Sequence, residues 1–275
     1  MKLSQPLWLL GFLLCLSSCD GPKPAAEEPS ASTPGNQPVA TKECHLVMGW
    51  DPWAPYQYEI AGGRVFGLDV DLISAVSAQT GCTLSFQKGT WSTLLESLKT
   101  GEVDLLAGAT QTPERLDFAR FTSPYRTEEF YLYLPVEQGP ALTDQSLVSM
   151  LAGGARIGVV DSYIYGPAIT ALQDAPELGQ QFHYAAMAET NFSRLLDGAV
   201  DALIEDRYVG AAIIRHKNLG ERIARGDTHL TSSPVRIMVS RESVDENTFQ
   251  ALEASVFELR ANGAIDKVLS LYGEP

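Results

Sequence analysis

The feature that most constrains the fold is a regular alternation of short apolar runs with segments of helical periodicity. Apolar runs at 45–48, 83–86 and 103–107 are separated by two segments of helical pattern. The second of these begins after Thr90, a good N-cap residue, and ends at Gly101, which suits a left-handed helix terminus. This βαβαβ order predicts a parallel sheet with right-handed crossovers.

The same alternation recurs in the second half of the chain. An apolar run at 157–160 precedes a helical segment near 191–196 and a further strand at 202–204. The chain closes with apolar residues at helical spacing, namely Phe249, Leu252, Val256 and Leu259. We therefore predict an α/β protein built from two such sets of strands and helices.

Composition and charge exclude some classes of function. The chain has 275 residues, with 20 Lys and Arg against 34 Asp and Glu, which gives a formal net charge of -14. An acidic chain repels phosphate backbones, so we do not expect nucleic-acid binding. With 45% hydrophobic residues the chain can bury a substantial core, which excludes a wholly disordered protein.

The first residues have the pattern of a targeting signal. Lys2 is followed by an apolar run at 7–16, too short for a spanning helix, which needs about 20 residues. The run leads into Leu16-Ser17-Ser18-Cys19, which resembles the lipobox of bacterial lipoproteins. The resemblance implies cleavage before Cys19 and lipidation of its thiol and amino group. The alternative is an ordinary secretory signal with a chance cysteine.

The segment after Cys19 is predicted to be a tether. Residues 20–42 are rich in Pro, Ala, Glu, Ser and Thr and cannot bury enough surface to offset their ordering entropy. We therefore divide the start into a signal peptide at 1–18 and a lipidated, flexible tether at 19–42. Asp20 resembles the signal that retains lipoproteins on the inner membrane of enteric bacteria.

The remaining cysteines point to a disulfide. Cys15 leaves with the signal and Cys19 is lipidated, so Cys44 and Cys82 remain in an oxidising compartment. Each stands at the head of an apolar run, and a bridge would join the starts of two neighbouring strands. Such a bridge would contribute about 3–4 kcal/mol in the chain-entropy model. The alternative is two unpaired, buried thiols.

An ordered set of residues resembles a known family. The set consists of Gly67-Leu68-Asp69-Val70-Asp71-Leu72, Trp91, Leu95, Leu98, Gly101, Asp104, Thr110, Thr112, Glu114-Arg115, Phe118 and Pro124-Tyr125. It resembles family 3 of the bacterial extracellular solute-binding proteins, the periplasmic amino-acid receptors of ABC importers. The resemblance implies a two-lobed, type II periplasmic-binding-protein fold. Each lobe is then a mostly parallel sheet flanked by helices, and two hinge strands join the lobes.

The resemblance also implies where the lobes divide. Lobe 1 would comprise 43–126 plus 232–275, and lobe 2 would comprise 127–231. The second crossing between them falls near Thr231-Ser232-Ser233-Pro234, after which 235–239 returns as a strand. The ligand of such a receptor lies between the lobes, and closure removes it from water.

A zwitterion in a dry cleft needs an opposite charge for each of its own. Arg115 follows Thr112-Pro113 in a first helical turn, and its guanidinium offers a planar, two-pronged donor set for a carboxylate. By resemblance, Arg115, Thr110 and the backbone at Gly108 hold the α-carboxylate of the ligand. Asp206 would take the ammonium from the opposite lobe, so that closure depends on ligand.

Each of these two charged residues has an ordinary structural alternative. Arg115 could be a surface residue paired with Glu114 or Asp117, which contributes under about 1 kcal/mol. Asp206 could serve only as a helix N-cap. The match of both residues in order favours the binding interpretation.

Aromatic residues complete the predicted site. Trp53 and Trp91 match the two aromatic positions that flank the ligand in this family, and either could instead be plain core. Trp50, Val160 and Glu205 match positions around the ligand side chain. Glu205 could bond an amide or a cation, or point to solvent.

One stretch departs from the family. Members usually carry a Gly-Thr-Thr/Ser-like turn after the first strand of lobe 2, whereas 160–166 here reads Val-Asp-Ser-Tyr-Ile-Tyr-Gly. Ser162 keeps a hydroxyl that could contact the ligand, but the two tyrosines add bulk. The stretch leaves the identity of the ligand open.

Enzymatic motifs are absent from the sequence. The four histidines are scattered without metal-ligand spacing, and no Gly-x-Ser-x-Gly elbow occurs, so we expect no metal, no cofactor and no enzyme activity. The alternative within the family is a cyclohexadienyl or arogenate dehydratase, with Glu205 as general acid. A further alternative is a ligand-sensing subunit that docks on a membrane sensor.

These inferences combine into one expectation. We expect a monomeric receptor on the periplasmic face of the cell envelope, anchored through Cys19, with the inner membrane favoured by Asp20. It would bind an amino acid or a related small carboxylate and deliver it to an ABC permease.

Overall fold

The computed structural model describes residues 44–138 and 146–272, all within one compact unit. Its strands are β1 (His45–Trp50), β2 (Tyr58–Ile60), β3 (Arg64–Phe66), β4 (Thr83–Lys88), β5 (Leu105–Ala109), β6 (Ala119–Phe121), β7 (Arg126–Pro135), β8 (Ile157–Val160), β9 (Phe182–Ala185), β10 (Ala202–Asp206) and β11 (Ile223–Ser240). Its α-helices are α1 (Leu68–Gln79), α2 (Trp91–Thr100), α3 (Pro113–Leu116), α4 (Leu147–Ala152), α5 (Pro167–Gln173), α6 (Ala188–Leu196), α7 (Arg207–His216), α8 (Glu246–Ala261) and α9 (Ala264–Tyr272). The predicted signal, Cys19 and the tether lie outside the described residues.

The strands form two parallel sets around a central antiparallel strand, which confirms the predicted two-lobed α/β fold. The order is β4-β1-β5-β11-β7-β10-β8-β9, with β6 also paired to β11 and the hairpin β2-β3 apart. In lobe 1, β1 runs parallel to β4 and β5. In lobe 2, β8 runs parallel to β9 and β10. β7 and β11 connect the lobes, as two hinge strands should.

β11 differs from the prediction, which had a strand only at 235–239. It extends over 18 residues and changes partner from β7, at Val235 opposite Arg126, to β5, at Arg236 opposite Ala109. The polar stretch before Val235 lacks an apolar pattern, but the β7 backbone supplies its ladder partners. The change of partner lies near the predicted lobe boundaries, which stay a prediction.

Helix termini follow the predicted signals. Thr90 caps α2 by accepting a hydrogen bond from the Thr93 N–H, and Gly101 ends that helix at a φ of 79°. Thr112 caps α3, with Pro113 in its first turn. These local signals place Trp91 and Arg115 at helix starts, next to the ends of neighbouring strands.

The predicted disulfide is confirmed. Cys44 and Cys82 are bonded with a Cα–Cα distance of 4.5 Å, and the next residues, His45 and Thr83, are paired in the parallel β1–β4 ladder. The bridge therefore joins the starts of two adjacent strands, where the lobe 1 core packs beneath α1 and α8.

No helix in 44–138 or 146–272 has the length and apolar character to cross a bilayer.

Candidate functional site

The carboxyl ends of parallel strands from both lobes meet at one cleft. Trp53 follows β1 and Arg115 follows β5 in lobe 1, whereas Tyr163 follows β8 and Glu205 lies at the end of β10 in lobe 2. Ligands of open α/β sheets bind outside the carboxyl ends of strands, so the topology itself selects this cleft. An apolar cluster that includes Trp53, Tyr56 and lobe 2 residues closes the lobes against each other.

Arg115 is buried in this cleft and donates its hydrogen bonds to backbone carbonyls. Its Nη1 donates to the Thr110 carbonyl at 2.9 Å and its Nη2 to the Ser162 carbonyl, across the cleft, at 2.8 Å. Its guanidinium carbon lies 5.5 Å from the Trp91 ring centroid. Within the described ranges no carboxylate forms a salt bridge with it, and burial lowers its pKa to about 10. The alternative of a surface ion pair with Glu114 or Asp117 is therefore wrong.

Most of the predicted ligand residues line one small cavity beside Arg115. Its lining consists of Trp53, Trp91, Gly108, Thr110, Arg115, Glu128, Phe130, Tyr163 and Ile164. The cavity has a volume of about 20 Å³, room for one water molecule. The structure thus brings together the residues predicted to hold the ligand carboxylate and both flanking tryptophans. The lobes are closed around them.

Tyr163 fills the centre of the cleft, a role that the sequence did not reveal. Its ring meets Trp53 and Trp91 edge-on, with centroid distances of 6.0 and 5.9 Å. Its hydroxyl donates to Asp51 Oδ2 at 3.0 Å. Tyr165, the second tyrosine of the turn, instead lies in the lobe 2 core and accepts from the Val160 N–H.

Ser162 contacts Arg115 through its backbone carbonyl, whereas the sequence suggested its hydroxyl. Its φ of 62° lies in the left-handed region, which is costly for a residue other than glycine. The packing of the turn, and not local preference, therefore sets this conformation.

Asp206 is fully buried and caps α7. Its Oδ1 accepts from the Tyr208 and Val209 N–H groups and from the Tyr56 hydroxyl, at 2.9, 3.2 and 3.2 Å. It does not line the cavity beside Arg115. Asp206 is therefore a helix N-cap, and its predicted contact with a ligand ammonium stays a prediction.

Glu205 is buried as well, so the alternative in which it points to solvent is wrong. Its Oε1 accepts from Trp53 Nε1 at 3.4 Å, across the cleft, and from the Asp206 N–H at 3.0 Å. Burial raises the pKa of this carboxyl to about 8, so it keeps its proton at neutral pH.

Three charged residues of the cleft were missed by the sequence reasoning. Arg126 donates through Nε and Nη2 to both oxygens of Asp69, each at 3.0 Å, and lies 3.7 Å from the Tyr56 ring centroid. Glu128 lies two residues further on the same buried face of β7. Asp51 receives the Tyr163 hydroxyl, and burial raises its pKa to about 6. Charges at alternate positions of an apolar strand were the available signal for Arg126 and Glu128.

Trp50 lies apart from the Arg115 cavity. It lines a separate cavity of about 390 Å³, also bounded by Trp53, Lys88, Ile213 and His216. The Lys88 ammonium lies 4.9 Å from the centroid of the Trp50 ring. Val160 is buried in the cluster that joins the lobes.

The described residues contain no group of acidic, histidine or cysteine side chains arranged to hold a metal ion.

Comparisons with known proteins agree with this architecture. Residues 46–274 match the family model of bacterial extracellular solute-binding proteins, family 3. A relative from Haemophilus influenzae named "Probable amino-acid ABC transporter-binding protein" is 31% identical over 81% of this chain and 82% of its own length. A "Probable histidine-binding protein" from Neisseria gonorrhoeae is 23% identical over 96% of this chain and 94% of its own.

Solved structures share the fold at low identity. An ancestral arginine-binding protein bound to arginine has a TM-score of 0.71 and 21% identity, and covers 84% of this chain and 98% of that one. A histidine kinase sensor domain similar to periplasmic binding proteins has a TM-score of 0.72 and 19% identity, with the same coverage. The chain belongs to family 3 of the bacterial extracellular solute-binding proteins.

Proposed function

We propose that this solute-binding protein is a lipid-anchored receptor that binds an amino acid between its lobes and delivers it to an ABC importer. The observation that carries the proposal is Arg115, a buried guanidinium at the cleft whose acceptors are two neutral carbonyls. A buried charge without an opposite partner is costly, so an anion that reaches it gains a strong, bidentate interaction. The α-carboxylate of an amino acid has the matching geometry.

Other atoms around the cavity suit the rest of an amino acid. Glu128 Oε1 and Trp91 Nε1 are buried, belong to lining residues and accept or donate no hydrogen bond within the described part of the chain, although Glu128 Oε1 lies 3.4 Å from Arg126 Nη1. The first is an acceptor for an ammonium and the second is a donor for an anion. Thr110 and the Gly108 backbone lie on the same lining, and Asp206 is the further acceptor that the family resemblance assigns to the ammonium.

Buried carboxyl groups at the cleft favour a ligand with an additional hydrogen-bond donor. Arg126 is paired with Asp69 and lies 3.4 Å from Glu128, whereas Asp51 and Glu205 form no salt bridge within the described residues, and burial raises the pKa of both. The relative named as a histidine-binding protein and the ancestral arginine-binding protein are named for such ligands. We therefore include L-histidine and L-arginine among the first candidates.

A thermal-shift screen of the standard amino acids tests the binding function. A ligand at 100 times its dissociation constant adds about 2.7 kcal/mol to the free energy of unfolding and raises Tm. We expect at least one amino acid to raise the Tm of the mature domain, 43–275, and to have less effect on the Arg115→Ala variant. No shift with any amino acid would contradict the proposal.

The anchoring part of the proposal has a separate test. We propose cleavage after Ser18, lipidation of Cys19, retention at the inner membrane through Asp20, and a monomeric domain on the tether at 19–42. Full-length protein is expected in the membrane fraction, and Cys19→Ser is expected in the soluble periplasmic fraction. Equal release of both forms would contradict lipid anchoring.

A dehydratase activity is the second candidate, because Glu205 has the protonation state of a general acid. Its pKa of about 8 keeps a proton available at neutral pH, at the carboxyl end of β10. Release of phenylpyruvate or phenylalanine from a cyclohexadienyl substrate would establish turnover, and its loss in Glu205→Gln would assign the acid. Without turnover, Glu205 is a binding or structural residue.

A further inference from the structure

Tyr163 occupies the space between the two tryptophans that are expected to flank a ligand. The residue belongs to lobe 2, while Trp53 and Trp91 belong to lobe 1. Its ring lies 6.0 Å from Trp53 and 5.9 Å from Trp91, near-perpendicular to both at 77° and 85°. Edge-to-face contacts at such distances are favourable. The two tryptophans therefore contact the tyrosine ring as they would contact the ring of a bound ligand.

The polar contacts of this turn also take the place of ligand contacts. The Tyr163 hydroxyl donates to Asp51 in lobe 1, and the neighbouring Ser162 carbonyl accepts from Arg115. Each of these bonds crosses from one lobe to the other. The protein thus closes its own cleft with an aromatic ring, a hydroxyl donor and a carbonyl acceptor.

The cavity that remains between Tyr163 and Arg115 is too small for an amino acid. The cavity bounded by Tyr163 and Arg115 has a volume of about 20 Å³, which fits a single water molecule. The turn itself lies at the surface, because Asp161 and Ser162 are exposed. The ring itself packs against the core clusters of both lobes, so it leaves the cleft only when these contacts are given up.

We propose that Tyr163 is an affinity-setting residue, which occupies the position of the ligand side chain and is displaced when an amino acid binds. The inference rests on the proposed function, because it identifies what a bound amino acid must replace. Displacement breaks the contacts with Asp51, Trp53 and Trp91, so it weakens the binding of every ligand. Ligands that restore those contacts, with a planar group that donates to Asp51, lose the least.

The backbone of the turn is consistent with this displacement. Ser162 has a φ of 62°, an unfavourable conformation for a residue with a Cβ, so the closed turn depends on its contacts. Tyr165, by contrast, is fully buried, and its hydroxyl accepts from the Val160 N–H at 2.7 Å. The part of the turn that moves is thereby confined to residues before Tyr165.

Calorimetric titration with L-arginine and L-histidine tests the proposal on the mature domain. Tyr163→Ala removes the ring and the hydroxyl, and Tyr163→Phe removes only the bond to Asp51. Tyr184→Ala is the matched control, because Tyr184 is exposed on the edge strand β9 of the same lobe. We expect Tyr163→Ala to tighten binding at least tenfold, Tyr163→Phe to tighten it by a smaller factor, and the control to leave it unchanged. Equal or weaker binding by Tyr163→Ala would overturn the proposal.

A second measurement without ligand separates this proposal from the proposed function. Acrylamide quenching of tryptophan fluorescence reports access of solute to Trp50, Trp53 and Trp91, of which Trp50 lines the separate cavity and Trp53 and Trp91 flank Tyr163. If no amino acid binds wild type or any variant, the proposed function fails, and quenching alone decides the role of Tyr163. Stronger quenching in Tyr163→Ala, with the circular-dichroism spectrum preserved and Tyr184→Ala unchanged, then supports the self-filled cleft. Unchanged quenching then overturns it. If the alanine variant fails to fold, the same quenching measurement is made on Tyr163→Phe.

Discussion

Two buried arginines face the same cleft and have opposite surroundings. Arg126 forms two hydrogen bonds with Asp69, lies against the Tyr56 ring and lies 3.4 Å from Glu128. Among the residues that the structure describes, Arg115 donates to two backbone carbonyls and lies against the Trp91 ring. Burial lowers the pKa of Arg115 to about 10. For Arg126 burial acts in the same direction, but Asp69, Tyr56, Tyr125 and Glu128 together raise the pKa above its usual value.

The difference separates a structural charge from a functional one. A buried ion pair with two parallel hydrogen bonds holds its elements in place, and here it joins the start of α1 to the start of β7. A buried cation that has only neutral acceptors gains from any anion that displaces them. The same residue type therefore holds the hinge at one position and, in the function we propose, binds the ligand at the other.

The largest effect is expected when the partner of Arg126 is removed, which tests whether the Arg126–Asp69 pair is structural. Asp69→Ala removes both of its hydrogen bonds to the buried Arg126 guanidinium and leaves the longer ion pair with Glu128, so we expect the free energy of unfolding to fall by about 3 kcal/mol. Urea denaturation measures this loss. Asp117→Ala, at an exposed position, is the control and should change stability by less than about 0.5 kcal/mol. A loss below 1 kcal/mol in Asp69→Ala would show that the pair is not structural.

A buried acid of the cleft, Glu205, should make the stability of the protein depend on pH. Glu205 is buried and forms no salt bridge in the part of the chain that the structure describes, and its pKa rises from 4.5 to about 8, chiefly because of burial. Between these values the unfolded chain releases the proton that the folded chain keeps, so the free energy of unfolding falls as pH rises. For this one group the slope is at most about 1.4 kcal/mol per pH unit.

Glu205→Gln should flatten that slope, because the amide oxygen still accepts from Trp53 and the Asp206 N–H but does not ionise. We expect the variant to be more stable than wild type at pH 8 and close to it at pH 4. Thermal unfolding at several pH values measures this, with the exposed Glu189→Gln as control. Parallel curves for the Glu205 variant and wild type would contradict the raised pKa.

Removal of Arg115 should affect binding and leave stability nearly unchanged. In Arg115→Ala two hydrogen bonds to carbonyls are lost, but an unpaired buried charge is lost with them, so we expect stability to change by about 1 kcal/mol or less. We expect binding of the amino acid found in the screen to weaken at least tenfold by calorimetry. Arg115→Lys retains the charge without the planar fork and should be intermediate. Unchanged affinity in Arg115→Ala would remove Arg115 from the site.

Local signals explain why so much of the fold was predictable. The Thr caps, the glycine at the end of α2 and the heads of two apolar runs placed α2, α3 and the Cys44–Cys82 bridge. Arg115, Thr110 and Trp91 were predicted as ligand residues because they belong to an ordered motif, and Gly108 and Trp53 because the family resemblance extends to them. Each of these signals depends on residues close together in the chain.

The cleft itself depends on contacts between distant residues, and only the tertiary structure decided them. Tyr163 and Asp51 are 112 positions apart, and Trp53 and Glu205 are 152 apart. No periodicity or spacing shows which of several aromatic side chains enters the space between two lobes. The amino-acid order therefore specified the lobes and the cation at their junction, whereas packing across the junction determined that a tyrosine of the protein's own occupies it.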